Sequence, residues 1–317
     1  MKEYDVVVVG GGPAGLSAAL VLVRARRAVV LVDAGAPRNA PAAHMHGFLS
    51  RNGMPPADLL AAGRSEVAGY GGRLIDDTAV GVEPGFQVRL ANASPLGARR
   101  ILVATGLRDE LPEIPGVRER WGRDLLHCPY CHGYEVRDQP LGVLGGAPEA
   151  VQHALLIRQW SPDLILFPHT GVLSSEQREH LTARGIRIVE GSVARFVVHN
   201  DHLHGVELDG GTVIPRAAVF VRPRFVPNAE LLTRLGCAVD AHGWVVHDPV
   251  GRTSMAGVWV AGNAADPRAQ VISAAGEGSA AAIALNADLV DEDVERALAD
   301  GRVSHAATAP ALPNSHI

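Results

Sequence analysis

The first 33 residues place a strand, a glycine-rich turn and a helix in the order that most restricts how this chain can fold. The segment YDVVVVGGGPAGLSAALVLVRARRAVVLVD starts with a β-branched run, Asp5 to Val9, which predicts a buried strand. The motif Gly10-x-Gly12-x-x-Gly15 follows, and the next residues predict a helix. A second strand, Ala28 to Val32, ends at Asp33. This order is typical of the start of a Rossmann-like α/β domain.

Each residue type in this segment suits the binding of a dinucleotide. Glycine allows the chain to turn tightly and to approach a pyrophosphate, and the N-terminus of the helix favours the negative charge. Asp33 lies 18 residues after Gly15, close to the roughly 20 expected for a carboxylate that binds a ribose. The segment therefore predicts a dinucleotide site, and a tight turn in another kind of α/β protein is the alternative.

The rest of the chain repeats this organisation. The segment PLGVLGGAPEAVQHALLIRQW, Pro140 to Trp160, again predicts a strand, a glycine turn and a helix, and the prolines of LPEIPGV before it predict a linker. A late strand ends at Gly262-Asn263 before an Ala-rich helix, and the tail from about Gly301 lacks a periodic pattern and is predicted to be mobile. Further predicted elements are a helix over Ala57 to Tyr70 and strands near Ala79 to Val82, Gln87 to Leu90 and Arg99 to Gly106.

The composition excludes several classes of function. The chain has 317 residues, 47% of them hydrophobic and 20% charged, which is enough for about two globular domains. A net charge of −5 and an aromatic content of 4% argue against a nucleic-acid-binding surface. No apolar stretch approaches the ~20 residues needed to cross a bilayer, so no membrane contact is expected. No secretory signal is recognisable before the first strand, which predicts a cytoplasmic protein.

Two of the three cysteines lie in the segment LLHCPYCHGYE, Leu125 to Glu135. In a reducing compartment a Cys-x-x-Cys pair is typical of a catalytic or a metal-binding site. Zinc needs about four ligands in tetrahedral geometry. His127 and His132 are adjacent to the cysteines and cannot readily wrap around one ion with them, so no metal is expected. A glutaredoxin-like site and a pair of packed thiols are further alternatives, although a glutaredoxin motif follows the first strand of a small domain.

The spacing of Cys128 and Cys131 suits redox chemistry best. Two intervening residues allow the sulfurs to form a disulfide or to separate as a dithiol. A helix that begins at the motif lowers the pKa of the nucleophilic thiol. Cys237 stands alone and is expected to be an ordinary buried thiol. Two nucleotide-type folds, the second carrying Cys-x-x-Cys, indicate a flavin disulfide oxidoreductase.

Across nearly its whole length the chain resembles the low-molecular-weight thioredoxin reductase family. The matching pieces are Gly10-x-Gly12-x-x-Gly15, Ala104-Thr105-Gly106, Cys128-Pro129-Tyr130-Cys131 and the segment Gly257 to Ala282. The resemblance implies an α/β fold with two Rossmann-like nucleotide-binding domains, the second inserted into the first. It implies an FAD-binding domain of residues 1–113 and 223–317, ending in the mobile tail 301–317, and an inserted pyridine-nucleotide-type domain of residues 114–222.

The resemblance also implies roles for individual residues. In that family the second cysteine, here Cys131, lies next to the flavin, and the first, Cys128, exchanges with the substrate. Asn263 stands where the family has an aspartate that contacts the ribityl chain, and Gln270 matches a glutamine near the flavin ring. Family members are usually homodimers. The residues expected to bind FAD are Gly10, Gly12, Pro13, Ala14, Gly15, Asp33, Ala104, Thr105, Gly106, Gly262, Asn263, Gln270 and Val271.

Three departures from the thioredoxin reductases concern the inserted domain. The G-x-G-x-x-A pattern of the family is replaced by GGAPEA, in which the methyl group of Ala147 should hinder contact with a pyrophosphate. The family's His-Arg-Arg cluster, which holds the 2′-phosphate of NADPH, is reduced to His169, with no arginine before Arg178. The family's acid after the second cysteine is His132. The first two departures argue against NADPH binding.

In these features the chain is more similar to one group within the family, the thioredoxin reductase-like dithiol oxidases that close the disulfides of gliotoxin, holomycin and romidepsin. That group shares a Cys-x-x-Cys-His motif and a degraded nucleotide site, and it passes electrons to oxygen. The resemblance therefore implies oxidation of a small-molecule dithiol by O2, with H2O2 as the second product. The alternatives are an NAD(P)H-dependent disulfide reductase and a redox sensor or binding protein that holds FAD without turnover.

Deprotonation of substrate thiols calls for a general base whose pKa is near neutrality, which suits histidine. His132, directly after the motif, is the first candidate, and His127 is the second. His44 and His46, in the segment AAHMHGF, are further candidates for lining the pocket. No motif in the sequence identifies the dithiol.

Overall fold

Two sheets whose central strands are parallel organise the chain in a computed structural model that describes residues 3–307. The strands are β1 (Glu3–Val9), β2 (Val29–Asp33), β3 (Arg73–Asp76), β4 (Ala79–Glu83), β5 (Gln87–Leu90), β6 (Leu96–Val103), β7 (Leu107–Glu110), β8 (Leu125–Leu126), β9 (Leu141–Leu144), β10 (Leu164–Phe167), β11 (Arg187–Ile188), β12 (Val193–His199), β13 (His202–Leu208), β14 (Val213–Pro215), β15 (Ala218–Val221), β16 (Arg224–Pro227) and β17 (Val258–Val260). The helices are α1 (Pro13–Arg24), α2 (Pro56–Gly69), α3 (Val117–Arg120), α4 (Pro129–His132), α5 (Pro148–Ile157), α6 (Ser175–Ala183), α7 (Glu230–Arg234) and α8 (Val271–Ala307).

The first sheet is built from strands that lie far apart in the sequence. Its order is β3-β2-β1-β6-β5-β4, and β17 pairs with β6. β1 is parallel to both β2 and β6, so the turn after β1 and Asp33 at the end of β2 meet at one edge of the sheet. Buried residues of α1 and α8 share one core with β1 and with Trp259 of β17. This core fixes the first turn of α1 beside the end of β1.

The second sheet lies between β7 and β16 in the sequence. It is parallel, with the order β11-β10-β9-β15-β8. Its central strands are buried along their whole length, because α5 and α6 cover one face and the antiparallel sheet of β12, β13 and β14 covers the other. The predicted α/β fold with two Rossmann-like units, the second inserted into the first, is confirmed.

An antiparallel ribbon of β7 and β16 connects the two parts. β7 is the last strand before the second sheet, and β16 is the first strand after it. The ribbon therefore lies where the chain crosses from one sheet to the other and returns. The domain boundaries at residues 113 and 222 remain a prediction.

Most of the predicted elements are present, and their ends differ for local reasons. α1 ends at Arg24, two residues before Arg26 takes a left-handed φ of +64°. The strand predicted to reach Gly106 ends at Val103, and Gly106 has a φ of +70°. α8 includes residues 301–307, while residues 308–317 lie outside the described residues, so the mobile tail remains a prediction. None of the helices described is long and apolar enough to span a membrane.

Candidate active site

A cavity of about 980 Å³ joins the glycine turn after β1 to the cysteine pair at α4. Its size suits a large organic cofactor together with a small ligand. The predicted catalytic residues Cys128, Cys131, His127 and His132 line it, and so do His44 and His46. The predicted FAD-binding residues that line it are Gly10, Gly12, Pro13, Ala14, Asp33, Ala104, Thr105, Gly106, Gly262, Asn263, Gln270 and Val271.

The glycines of the first motif have different tasks. A Cβ on Gly15, which is absent from the cavity lining, would lie 1.8 Å from the carbonyl oxygen of Gly10, so Gly15 serves the packing of α1 against β1. Gly12 precedes α1, and a Cβ there would meet no atom within 4 Å. No side chain caps the first N–H groups of α1. An open helix N-terminus without a side chain in front of it fits the pyrophosphate of FAD.

Asp33 closes the same end of the cavity. Its Oδ1 accepts a hydrogen bond from the N–H of Gly11 at 3.1 Å, and Arg64 Nη1 lies 3.4 Å from its Oδ2. The carboxylate is half-buried and is held at the carboxyl end of β2. This position and chemistry fit a ribose hydroxyl of the cofactor.

Asn263 is more constrained than the sequence comparison suggests. Its Nδ2 donates to the carbonyl oxygens of Asp266 and Ala269, both at 2.9 Å. Its Oδ1 accepts from Arg38 Nη1 at 3.3 Å. Both amide hydrogens are therefore used within the protein, so Asn263 can offer the ribityl chain an acceptor but no donor.

The cysteine pair lies in the wall of the cavity. Cys128 and Cys131 are joined by a disulfide, and their Cα atoms are 5.2 Å apart. Cys128 is the N-cap of the short helix α4, and its sulfur accepts a hydrogen bond from the N–H of Cys131 at 3.1 Å. A hydrogen bond of this kind stabilises a thiolate at Cys128 when the disulfide is opened.

Two imidazoles that line the cavity belong to the half-buried His127, next to Cys128, and to the buried His153. The rings of His127 and His153 are 5.5 Å apart, and the Nδ1 atom of each is buried without a hydrogen-bond partner among the described residues. Burial lowers the pKa of His127 to about 4 and that of His153 to about 3. Both rings are therefore uncharged at neutral pH. His127, the second candidate for the base, is consequently a much weaker base than the sequence suggested.

His132 has a different environment. Burial lowers its pKa, the carboxylate of Glu135 opposes this effect, and the nearby His46 reinforces it. His46 Nε2 lies 3.4 Å from Glu135 Oε1, so a residue of the loop after β2 meets the segment after α4. His132 lines the cavity and is half-buried, as His127 is, but the carboxylate of Glu135 favours its protonated ring, whereas Arg38 and Arg222 disfavour that of His127. It is therefore better placed than His127 to accept a proton from a thiol.

The glycine turn of the second sheet is covered by a neighbouring loop. A Cβ on Gly171 would lie 2.6 Å from the Cα of Gly146, so the loop after β10 rests directly on the turn after β9. His169 in that loop has a φ of +59°, and its Nδ1 accepts from the N–H of Val193 at 2.9 Å. Ala147 is exposed at the start of α5. This turn is therefore less open than the turn at Gly12.

Three residues that the sequence did not single out complete the wall near the cysteines. Arg38 donates two hydrogen bonds to Asp109, at 2.9 and 2.8 Å. Its guanidinium lies 5.0 Å from the ring of Phe225, which in turn makes an edge contact with His127 at 5.1 Å. These residues come from the loop after β2, from β7 and from β16, so no local motif could have indicated them.

The third cysteine does not line this cavity. Cys237 is buried, its sulfur lies 3.4 Å from Thr253 Oγ1, and burial raises the pKa of the thiol. Within residues 3–307, no group of three or more His, Cys, Asp or Glu side chains is arranged to hold a metal ion.

The comparisons with known proteins agree on the family that this chain resembles. Residues 4–279 match the family described as pyridine nucleotide-disulphide oxidoreductase. The crystal structure of a protein called HlmI is 59% identical, with a TM-score of 0.92 over 96% of this chain and 97% of that one. A probable thioredoxin reductase of Arthroderma benhamiae is 30% identical over 93% of this chain and 83% of its own. Thioredoxin reductase sirT of Leptosphaeria maculans is 28% identical over 92% of this chain and 96% of its own.

Proposed function

The chain belongs to the pyridine nucleotide-disulphide oxidoreductase family, and we propose that within this family it is an FAD-dependent dithiol oxidase. The predicted resemblance to thioredoxin reductases is confirmed by the relatives, and family membership implies a flavin cofactor. In the proposed reaction a small-molecule dithiol becomes an intramolecular disulfide, and O2 is reduced to H2O2.

The covered glycine turn at Gly146 is the observation that carries this proposal. Thioredoxin reductases, by the resemblance, take electrons from NADPH at that turn. Here the backbone of Gly171 rests on it, Ala147 replaces a glycine, and the loop after β10 offers no arginine before Arg178. Arg178 itself pairs with Glu190 at 2.6 Å. The electrons must then enter from the other direction, through the disulfide that faces the cavity.

The residues present fit FAD along the length of the cavity. The turn at Gly12 would hold the pyrophosphate, Asp33 the ribose, and Thr105, Asn263 and Gln270 the flavin end. When bound there, FAD would take an electron pair from the cysteines and pass it to O2.

The cysteine pair would carry the first half of the reaction. A substrate thiolate attacks the sulfur of Cys128, the bond between Cys128 and Cys131 breaks, and Cys131 leaves as a thiolate. The second substrate thiolate then attacks the substrate sulfur of this mixed disulfide. The substrate disulfide forms, and Cys128 leaves as a thiolate that the N–H of Cys131 stabilises. Two electrons have passed from the substrate to the cysteine pair.

His132 is the proposed acceptor of the thiol protons. It is neutral at pH 7, since its pKa is lowered by burial, and its ring lines the cavity that holds the disulfide. The S–H bond of the substrate breaks as the ring nitrogen takes the proton, and Glu135 stabilises the resulting imidazolium. Because His132 and Cys128 line the same cavity, the substrate thiolate forms close to the sulfur that it attacks.

The alternative is an NAD(P)H-dependent disulfide reductase, which the names of the relatives favour. Its cysteine chemistry would be the same in the opposite direction. Homodimer formation and a cytoplasmic location are carried over from the sequence as further proposals.

Anaerobic stopped-flow absorbance of the flavin distinguishes the two directions. The oxidase predicts fast bleaching by a small dithiol and slow or absent bleaching by micromolar NADPH. Admission of air should restore the flavin and release one H2O2 per disulfide formed. Fast bleaching by NADPH would overturn the oxidase in favour of the reductase.

A further inference from the structure

The arginines of the cavity wall differ in whether the guanidinium already has a hydrogen-bond partner. Four arginines line the cavity. Arg38 and Arg268 are paired with the carboxylates of Asp109 and Asp266, and Arg234 donates a hydrogen bond to the carbonyl oxygen of Val80. Arg222 is exposed and has neither an ion pair nor a hydrogen bond with any residue the structure describes. An uncompensated guanidinium in a cavity wall is available to a ligand.

Arg222 lies at the cysteine end of the cavity. β15 pairs with β8 in parallel, with Phe220 opposite Leu126, so Arg222 and Cys128 follow two residues later at the same edge of the sheet. The positive charge of Arg222 also lowers the pKa of both His127 and His153. Those two imidazoles are uncharged at neutral pH and cannot offset the charge. Arg38, the other cation at this end, is neutralised by its bidentate pair with Asp109.

Neutral rings lie at the same end of the cavity. Those of Phe225, His127 and His153 line it, with Phe225 edge-on to His127 at 5.1 Å and His127 5.5 Å from His153. A ligand group that enters this end therefore meets one unpaired positive charge beside an aromatic surface. Such a surface favours one anionic group beside an apolar body.

We propose that Arg222 recognises a carboxylate or an equivalent anionic group on the dithiol, and that it thereby selects anionic dithiols over neutral ones. The inference rests on the proposed function, because it assumes that a dithiol occupies the cavity beside Cys128. The guanidinium binds a carboxylate through two parallel hydrogen bonds, whereas a neutral carboxamide of the same size offers one acceptor and no charge. Arg222 is therefore a specificity residue and takes no part in electron transfer.

Dihydrolipoate and dihydrolipoamide are suitable probes, since one carries a carboxylate where the other carries a carboxamide. The measurement is the second-order rate constant of anaerobic flavin reduction by each dithiol. The variants are Arg222→Gln, Arg222→Lys and, as a matched control, Arg224→Gln. Arg224 is exposed two residues away, is paired with Glu110 at 2.7 Å, and does not line the cavity.

The unaltered protein and Arg224→Gln should prefer dihydrolipoate by about tenfold, as expected for one charge-assisted contact at a partly exposed site. Arg222→Gln should lose this preference, mainly through slower reduction by dihydrolipoate, and Arg222→Lys should keep part of it. The preference should shrink as salt is raised, because the site is open to solvent. Equal rates for the two dithiols, or a preference that survives in Arg222→Gln, would overturn the inference.

Two further measurements separate this inference from the proposed function. FAD content must be equal in all variants, since loss of FAD from Arg222→Gln would make Arg222 a cofactor residue instead. Binding of oxidised lipoate and lipoamide, followed by isothermal titration, requires no turnover. If neither dithiol reduced the flavin, the proposed function would fail. The specificity of Arg222 could still be decided, because it predicts that lipoate binds more tightly than lipoamide and that Arg222→Gln removes this difference.

Discussion

Replacement of Gly12 by alanine should separate the binding of FAD from the stability of the fold. A Cβ on Gly12 would meet no protein atom within 4 Å, and the residue has φ −75° and ψ −177°, which alanine adopts without strain. The methyl group would stand in front of the free N–H groups of α1, where the pyrophosphate is expected. Gly12→Ala should therefore leave the apo protein folded and weaken its affinity for FAD.

The expected magnitudes follow from the contacts. Replacing glycine by alanine stabilises the fold by about 0.4–1 kcal/mol, because it reduces the conformational freedom of the unfolded chain. Alanine is also a weaker N-cap, which costs roughly the same amount. The free energy of unfolding should therefore change by less than about 1 kcal/mol. Displacement of the phosphate should weaken hydrogen bonds to a charged group, each worth about 1.5–3 kcal/mol, which lowers affinity by about 10- to 150-fold. Gly15→Ala is the contrasting variant, because its Cβ would lie 1.8 Å from the carbonyl oxygen of Gly10.

The assay combines thermal unfolding of the apo proteins with a fluorescence titration of FAD. Gly12→Ala should melt within a few degrees of the unaltered apo protein, whereas Gly15→Ala should lose about 3 kcal/mol or more through displacement of α1. An apo Gly12→Ala protein that is strongly destabilised would show that the turn is not open. Unchanged FAD affinity in a folded Gly12→Ala protein would show that the pyrophosphate binds elsewhere.

Three further predictions concern the cysteine end. Cys128→Ser should leave Cys131 as a thiolate beside the flavin and give a long-wavelength charge-transfer band, whereas Cys131→Ser should lack the band. Both variants should lose turnover. A band in Cys131→Ser alone would reverse the roles of the two cysteines. His132→Gln should slow dithiol oxidation by roughly 10²- to 10⁴-fold, and this loss should shrink above the substrate thiol pKa of about 8.5. His44→Gln should have little effect. A loss in His132→Gln that does not depend on pH would contradict the role of His132 as a base. Burial lowers the pKa of His153 to about 3, so the folded protein resists protonation of this ring. The free energy of unfolding should therefore be highest above about pH 6.5 and fall by about 2 kcal/mol toward pH 5. Denaturant titrations of His153→Phe should show a flatter pH dependence.

The sequence predicts those parts of the molecule whose cause is local. The strand, the glycine turn and the acid at Asp33 lie within one short segment, and each residue type is required by the turn itself or by the helix that follows. The cysteine pair is equally local, because its spacing alone permits a disulfide. The insertion of one sheet into the other follows from the resemblance to a family, since no periodic pattern specifies that β17 returns to pair with β6.

The chemistry of the cavity wall depends on contacts that no local pattern records. Arg38, Asp109 and Phe225 meet from three distant segments. His127 was a plausible base by position, but its burial beside His153 lowers its pKa to about 4, and burial is set by the fold of the second sheet. Charge compensation at the arginines is likewise a property of the assembled cavity and cannot be read from the sequence.

The same order of strand, turn and helix occurs twice, and the two turns have different surroundings. At Gly12 the helix N-terminus faces an open cavity, whereas at Gly146 the backbone of Gly171 approaches so closely that neither residue can carry a side chain. Under the proposed function, no nucleotide delivers electrons to the inserted part at this second turn. What that part still supplies is the disulfide at Cys128 and the wall that carries Arg222. In that function the inserted sheet would present a dithiol to the flavin, and a closed turn within a packed sheet fits this role.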